Sequence, residues 1–341
     1  MSMIYGDVEL HNIEDIFPYE DGDGMQLSRL PNPLRLGLNE LGKICSLGMA
    51  GSEIRFNLEG EQANINLFCH NFLETWNPDA VTEVYQGPFK SSSHVINSEP
   101  TVITITRPQN LDVLVKIARE RGLPFDPALV RVVLPIWPPT ILLGIDGQTS
   151  PPRKGQAPQK RLLAYGSSIT HGAYAVRPTG TYPARLSQML GLDHFNLGLG
   201  GGCHCEGQLA DHIAKRSDWN LATLELGINM IGHDLDEFRR RVRYFIGRVA
   251  GENPDRWIFC IDIFTFGEDL ESRRGKHTKF RRAVREEVIR LDLPRLVHLD
   301  GRRLVRNPNS LSCDLCHPSP QGMEEIAGNL ARIIDKRLAT R

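Results

Sequence analysis

The sequence predicts a mixed α/β chain in two parts: a β-sandwich or jelly roll over residues 1–150, then a doubly covered parallel sheet over residues 151–341. Three observations predict it. The first half alternates short β-type runs with Gly, Pro and Asn clusters, and the second half alternates apolar runs with helical stretches. Between residues 147 and 160 the composition shifts to Gln, Thr, Ser, Pro, Gly and Lys, which reads as a linker or surface crossover. At 341 residues the chain also exceeds the usual size of a single core.

In the first half, strands are expected at 53–58, 63–68, 81–85, 101–106, 130–136 and 140–145. The run Ile54-Arg55-Phe56-Asn57-Leu58 alternates apolar and polar residues, the pattern of a half-buried antiparallel strand. A helix is expected at 110–121, where Asn110 can cap the start, Leu111, Leu114, Val115 and Ala118 form a stripe, and Gly122 can end it. In the second half, strands at 162–165, 194–197, 222–226, 257–263 and 296–299 alternate with helices at 182–190, 235–249, 278–291 and 321–338. Such alternation implies a parallel sheet covered on both faces, with a ligand site at the carboxyl ends of its strands.

Composition narrows the function classes. Apolar content of 40% and charged content of 24% are those of a globular protein. A net charge of -1 argues against a general polyanion binder, so no nucleic-acid partner is expected. Residues 1–150 carry 19 acidic and 10 basic side chains against 22 and 30 in the remainder. This asymmetry suits either halves that attract each other or the solvated faces of two modules. Seven cysteines, an odd number without regular spacing, suggest reduced thiols. The start Met-Ser-Met-Ile-Tyr-Gly-Asp lacks the basic-then-apolar order of a secretory signal, and no run approaches the ~20 apolar residues of a membrane span. A cytoplasmic protein without a membrane partner is the expectation.

Four motifs carry chemistry. Tyr165-Gly166-Ser167-Ser168-Ile169-Thr170-His171-Gly172 follows the apolar run Leu162-Leu163-Ala164. Asn196-Leu197-Gly198-Leu199-Gly200-Gly201 ends a second apolar run, Glu225-Leu226-Gly227-Ile228-Asn229 ends a third, and Asp314-Leu315-Cys316-His317-Pro318 precedes the last helix. In this order the motifs resemble those of the SGNH hydrolases, also called GDSL-type esterases and lipases, whose blocks supply a serine, a glycine, an asparagine and an Asp-x-x-His pair. The strings Gly-Ser-Ser-Ile-Thr and Gly-Ile-Asn-Met, with a β-rich N-terminal part, are most similar to a carbohydrate-esterase-like subgroup. The resemblance implies a flavodoxin-like three-layer α/β/α domain built on a parallel five-stranded sheet.

The resemblance also implies roles. A serine hydroxyl needs a base in hydrogen-bonding reach to become a nucleophile. Ser168 would be that nucleophile, His317 the base and Asp314 the group that orients the imidazole. The oxyanion hole would use the backbone amides of Ser168 and Gly201 and the side-chain amide of Asn229. A glycine suits an amide that must approach substrate closely. No metal or cofactor is expected. The expected substrate is a small acyl ester, acetyl first, on a sugar or oligosaccharide. Acyl transfer to an alcohol uses the same acyl-enzyme, and a non-catalytic carbohydrate binder is the alternative from another class. A homo-oligomer is left open.

Simpler readings stand beside these. Ser168 could be a helix N-cap, Asn229 could end a strand in a turn, and Gly201 could serve chain reversal alone. Cys313-Asp314-Leu315-Cys316-His317 spells the c-type haem attachment string. His204-Cys205-Glu206 with Cys313 and Cys316 mimics a zinc-deaminase signature. Cys203 and Cys205 read as small side chains lining the pocket region; His171, His204 and His233 lie near the blocks and could touch substrate, with an exposed or capped histidine the simpler reading of each. The chain departs from the family pattern in having Ser167 where aspartate is usual, Met230 after Asn229, and Gly202-Cys203-His204 after Gly201.

Overall fold

The computed structural model describes residues 2–70, 80–271 and 275–339. Ten antiparallel strands come first: β1 (Met3–Tyr5), β2 (Val8–His11), β3 (Asp15–Pro18), β4 (Met25–Ser28), β5 (Glu53–Cys69), β6 (Ala80–Gln86), β7 (Phe89–Ile96), β8 (Thr101–Thr106), β9 (Leu129–Val133) and β10 (Thr140–Ser150). Two short helices, α1 (Asn32–Leu36) and α2 (Glu40–Cys45), separate β4 from β5, and α3 (Leu111–Arg121) follows β8. The 17-residue β5 is the spine: its first residues pair with β2 and β9, and its second half with β8 and β10.

The two strands expected at 53–58 and 63–68 are therefore one, because the polar stretch between them stays extended. Nor is the 53–58 segment half-buried. All six of its residues are buried, and its polar members face the second half of the chain. Arg55 Nη1 and Nη2 donate to Asp193 Oδ2 and Oδ1, both at 2.8 Å, and Gln156 Nε2 donates to Asn57 Oδ1 at 2.6 Å. The composition shift at 147–160 is only partly a crossover, since β10 runs through Ser150. Asn110 makes no side-chain capping bond to α3, whereas Gly122 ends that helix in the left-handed region, φ +60°.

The second half forms five parallel strands in the order β12-β11-β13-β14-β15: β11 (Arg161–Gly166), β12 (Asp193–Gly198), β13 (Leu221–Glu225), β14 (Trp257–Ile261) and β15 (Leu296–Leu299). Its helices are α4 (Ser168–His171), α5 (Tyr182–Met189), α6 (Gly207–Lys215), α7 (Leu235–Glu252), α8 (Gly267–Glu271), α9 (His277–Leu291) and α10 (Pro320–Ala339). One core joins the sheet to α6, α7 and α9 through Leu209, Ile213, Phe238, Phe245, Phe280 and Val284. The other joins it to α5 and α10 through Tyr182, Leu186, Met323, Ile326 and Leu330. This is the flavodoxin-like three-layer arrangement, and its strand order reverses at β11, the switch point at whose carboxyl ends sheets of this kind bind ligands. No helix among the described residues is long and apolar enough to cross a membrane.

Charged residues stitch the two sheets together. Glu14 meets Arg216, and Arg177 Nη1 lies 3.9 Å from Glu83, acid from the first half against base from the second. The Arg55–Asp193 pair runs the other way and is fully buried. Removing one partner of such a pair costs roughly 3–5 kcal/mol, because the other charge is left without compensation.

Candidate active site

Ser168 stands where β11 turns into α4. Ser167, in an extended conformation, accepts a hydrogen bond from Ile169 N at 3.2 Å and caps the helix. The capping role left open for Ser168 thus falls to its neighbour, and the Ser168 hydroxyl is available for other partners. Glycines make the turn this tight: a Cβ on Gly166 would lie 2.1 Å from Thr170 Oγ1, and one on Gly198 2.2 Å from His171 N.

The Ser168 Oγ–H donates to His317 Nε2 at 2.7 Å, and His317 Nδ1–H donates to Asp314 Oδ2 at 2.7 Å. The chain of bonds sets the imidazole tautomer, with its proton on Nδ1. One turn presents both groups: Asp314 Oδ1 accepts from Cys316 N at 2.9 Å and His317 N at 3.0 Å. Ser312 N donates to His317 O at 2.8 Å across the Leu311–Pro318 bridge, so the loop is closed on itself. Burial would raise the Asp314 carboxyl, but the bonds from His317 and Cys316 outweigh it and hold the group below its ordinary value. His317 is engaged on both ring nitrogens, which leaves the Cys-x-x-Cys-His string without the histidine that haem ligation needs.

The loops after β12 and β13 meet the same corner. Leu199 N donates to Gly166 O at 2.8 Å, tying the second motif to the first. Cys203 N donates to Asn229 Oδ1 at 3.2 Å, tying the third motif to the second. That bond commits the amide oxygen of Asn229 and leaves Nδ2 as the donating end. Gly201 has φ +68°, and a Cβ there would lie 2.7 Å from Leu41 Cδ1. The left-handed backbone favours glycine at this position, whereas the Leu41 methyl is the end of an exposed side chain that can move aside.

Several neighbours were not foreseen. Glu225, fully buried, accepts from Ser167 N at 2.6 Å and from Thr170 Oγ1 at 3.1 Å. Burial raises its carboxyl, and the bonds from Ser167 and Thr170 pull the other way. The available signal was an acidic residue closing an otherwise apolar strand. Tyr174, at φ +63°, sets its ring 5.5 Å from that of His317.

Other expectations need correction. Cys203 and Cys205 are not pocket-lining side chains but buried members of the core beneath the sheet, Cys203 Sγ donating to Glu225 O at 3.6 Å and Cys205 N to the Tyr165 hydroxyl at 3.2 Å. Cys205 is buried and Cys313 exposed, and among the described residues no group of three or more His, Cys, Asp or Glu side chains could hold a metal ion. His171 is neither exposed nor a cap: it is buried edge-on to Trp137, with ring centroids 6.2 Å apart. His204 and His233 lie edge-on to each other, 4.8 Å between centroids.

Residues 164–325 match the GDSL-like Lipase/Acylhydrolase family. No curated protein matches the chain. Among solved structures, a salicylyl-acyltransferase from a tetracycline biosynthetic pathway is 15% identical, with a TM-score of 0.79 over 100% of this chain and 97% of that one. A putative GDSL-like lipase from Bacteroides ovatus is 18% identical, with a TM-score of 0.71 over 92% of each chain. A family two carbohydrate esterase from Clostridium thermocellum, solved with cellohexaose, is 14% identical, with a TM-score of 0.62 over 86% of this chain and 94% of that one. At these identities the likeness is one of fold.

Proposed function

We propose, from the premise that residues 164–325 form a GDSL-like lipase/acylhydrolase domain, that the chain is a serine esterase acting on small acyl esters. Ser168 is the nucleophile, His317 the general base and Asp314 the group that orients and stabilises the imidazolium. The observation that carries this reading is the pair of 2.7 Å bonds linking Ser168 Oγ to His317 and His317 to Asp314. Attack by Oγ on the ester carbonyl passes its proton to Nε2. The developing oxyanion is received by the amides of Ser168 and Gly201 and by Asn229 Nδ2, and the same proton then goes to the departing alcohol. Water, activated by the neutral imidazole, releases the acyl group in the second half of the cycle.

An acetylated sugar or oligosaccharide is the proposed substrate. It draws support from the similarity in fold to the carbohydrate esterase solved with cellohexaose and to an acetyl xylan esterase from a rumen bacterium. The acyltransferase reading rests on the full-length match to the salicylyl-acyltransferase, since transfer differs only in which nucleophile reaches the acyl-enzyme. The two-part division at residue 150 belongs to this proposal, with chemistry assigned to residues 151–341. A panel of acetylated sugars and longer acyl esters, assayed with and without an alcohol acceptor, tests it. Higher kcat/KM for acetyl esters, with free acid as product, is expected. Product ester formed in preference to acid moves the assignment to acyl transfer, and turnover of none of them favours the non-catalytic binder.

A further inference from the structure

Four glycines crowd the end of β12 and the turn that follows it, at positions 198, 200, 201 and 202. Such a segment has more backbone freedom than any other composition allows. Yet every second carbonyl in it is taken by a side chain from the first 45 residues. Arg29 Nη1 donates to Asn196 O at 2.6 Å and Arg29 Nη2 to Gly198 O at 2.9 Å. Cys45 Sγ–H donates to Gly200 O at 3.0 Å, and Asn39 Nδ2 donates to Gly202 O at 2.9 Å. The remaining Arg29 donors reach Gly48 O at 2.5 Å and Cys45 O at 2.6 Å, so this buried guanidinium rests on carbonyl oxygens from both halves of the chain.

The third of these bonds bears on the chemistry. A trans peptide unit is planar, and its C=O and N–H point in opposite directions. Gly200 O and Gly201 N belong to one such unit, so whatever anchors the carbonyl sets the aim of the amide. Helix α2 supplies the anchor through its last residue, Cys45, while Leu41 on the same helix packs where a Gly201 side chain would be.

On the reading of Gly201 as an oxyanion donor, we propose that α2 positions the oxyanion loop and that Cys45 is the positioning residue, its thiol holding the Gly200 carbonyl so that the Gly201 N–H faces the reacting carbon's oxygen. The thiol acts through the peptide and does not touch substrate. Burial pushes it up to about 11, with Arg29 opposing, so it keeps its proton as a donor at neutral pH. The first half of the chain thereby contributes to catalysis without supplying a reacting group.

Three variants of the full chain test this with 4-nitrophenyl acetate: Cys45→Ser keeps a donor, Cys45→Val keeps volume without one, and Cys45→Ala removes both. The expected result is a fall in kcat of about tenfold for Cys45→Val and Cys45→Ala with KM within about twofold, since only the transition state carries the oxyanion. Cys45→Ser should recover kcat to within about threefold of wild type. Fluorophosphonate labelling rates should follow the same order. Wild-type kcat in Cys45→Val overturns the proposal, as does a Cys45→Ser enzyme no better than Cys45→Val. If Cys45→Ala fails to fold, the Val and Ser pair decides alone. Ser168→Ala separates the two levels: loss of turnover there beside an unimpaired Cys45→Val sinks only the positioning role, whereas turnover retained in Ser168→Ala sinks the esterase reading itself.

Discussion

Glu225 Oε2 lies 2.6 Å from the backbone nitrogen of Ser167, so a carboxyl group from β13 holds the residue immediately before the proposed nucleophile. The same oxygen accepts from Thr170, whose own Oγ receives the Tyr182 hydroxyl at 2.8 Å. A buried polar chain therefore underlies the strand-to-helix turn. Glu225→Ala would leave the Ser167 N–H and the Thr170 hydroxyl without an acceptor, at roughly 1–3 kcal/mol each. We expect a loss of about 2–4 kcal/mol in urea unfolding together with a lower kcat. Glu225→Gln, which keeps one acceptor oxygen, should lose less of both.

The pH dependence of stability follows from the same residue. Burial raises the folded-state Glu225 carboxyl above its unfolded value, which is about 4.3. The folded protein therefore binds this proton more tightly, and its contribution is fully present below about pH 4.3 and declines as pH rises through the folded value. Thermal midpoints of wild type and Glu225→Gln, compared from acid to neutral pH, should shift in favour of the variant as pH rises. A difference that stays constant would contradict this.

Gly201→Ala should be costly chiefly through its backbone, with a smaller contribution from the exposed Leu41 side chain that must move aside. The position has φ +68°, and the added Cβ would sit 2.7 Å from Leu41 Cδ1. We expect a destabilisation of about 1–3 kcal/mol and a marked drop in kcat. Adding Leu41→Ala should relieve the contact but not the backbone strain, so the double variant recovers only part of the loss.

On the proposed reading, Asn229→Ala removes an oxyanion donor, and with it the acceptor that holds Cys203 N at 3.2 Å. A fall in kcat of about 10²–10³ with little change in KM is expected in steady-state kinetics. A rise in KM at constant kcat would instead make Asn229 a ground-state contact.

The second half of the fold was legible because its parallel strands are buried on both faces and read as apolar runs, as Leu221–Glu225 and Trp257–Ile261 do. That Ser168, His317 and Asp314 meet was to be expected from the family resemblance, whose motifs fall at the loop positions such a sheet exposes. The first half was harder. β1 to β4 are three or four residues long, and β7, Phe89–Ile96, carries three serines that read as loop. Helix α6 was missed because it opens on Gly207 and lacks a capping side chain. The burial of Arg55 and the reach of Arg29 depend on residues more than 130 positions away, a relation that local periodicity does not encode.

The most direct test of the account is covalent labelling by a fluorophosphonate, read by mass spectrometry on the intact chain and its peptides. One adduct per chain on Ser168, none on Ser168→Ala, and labelling of His317→Ala slower by orders of magnitude are expected. Wild-type protein that stays unlabelled under conditions that saturate a control serine esterase, or an adduct that persists in Ser168→Ala, would contradict it.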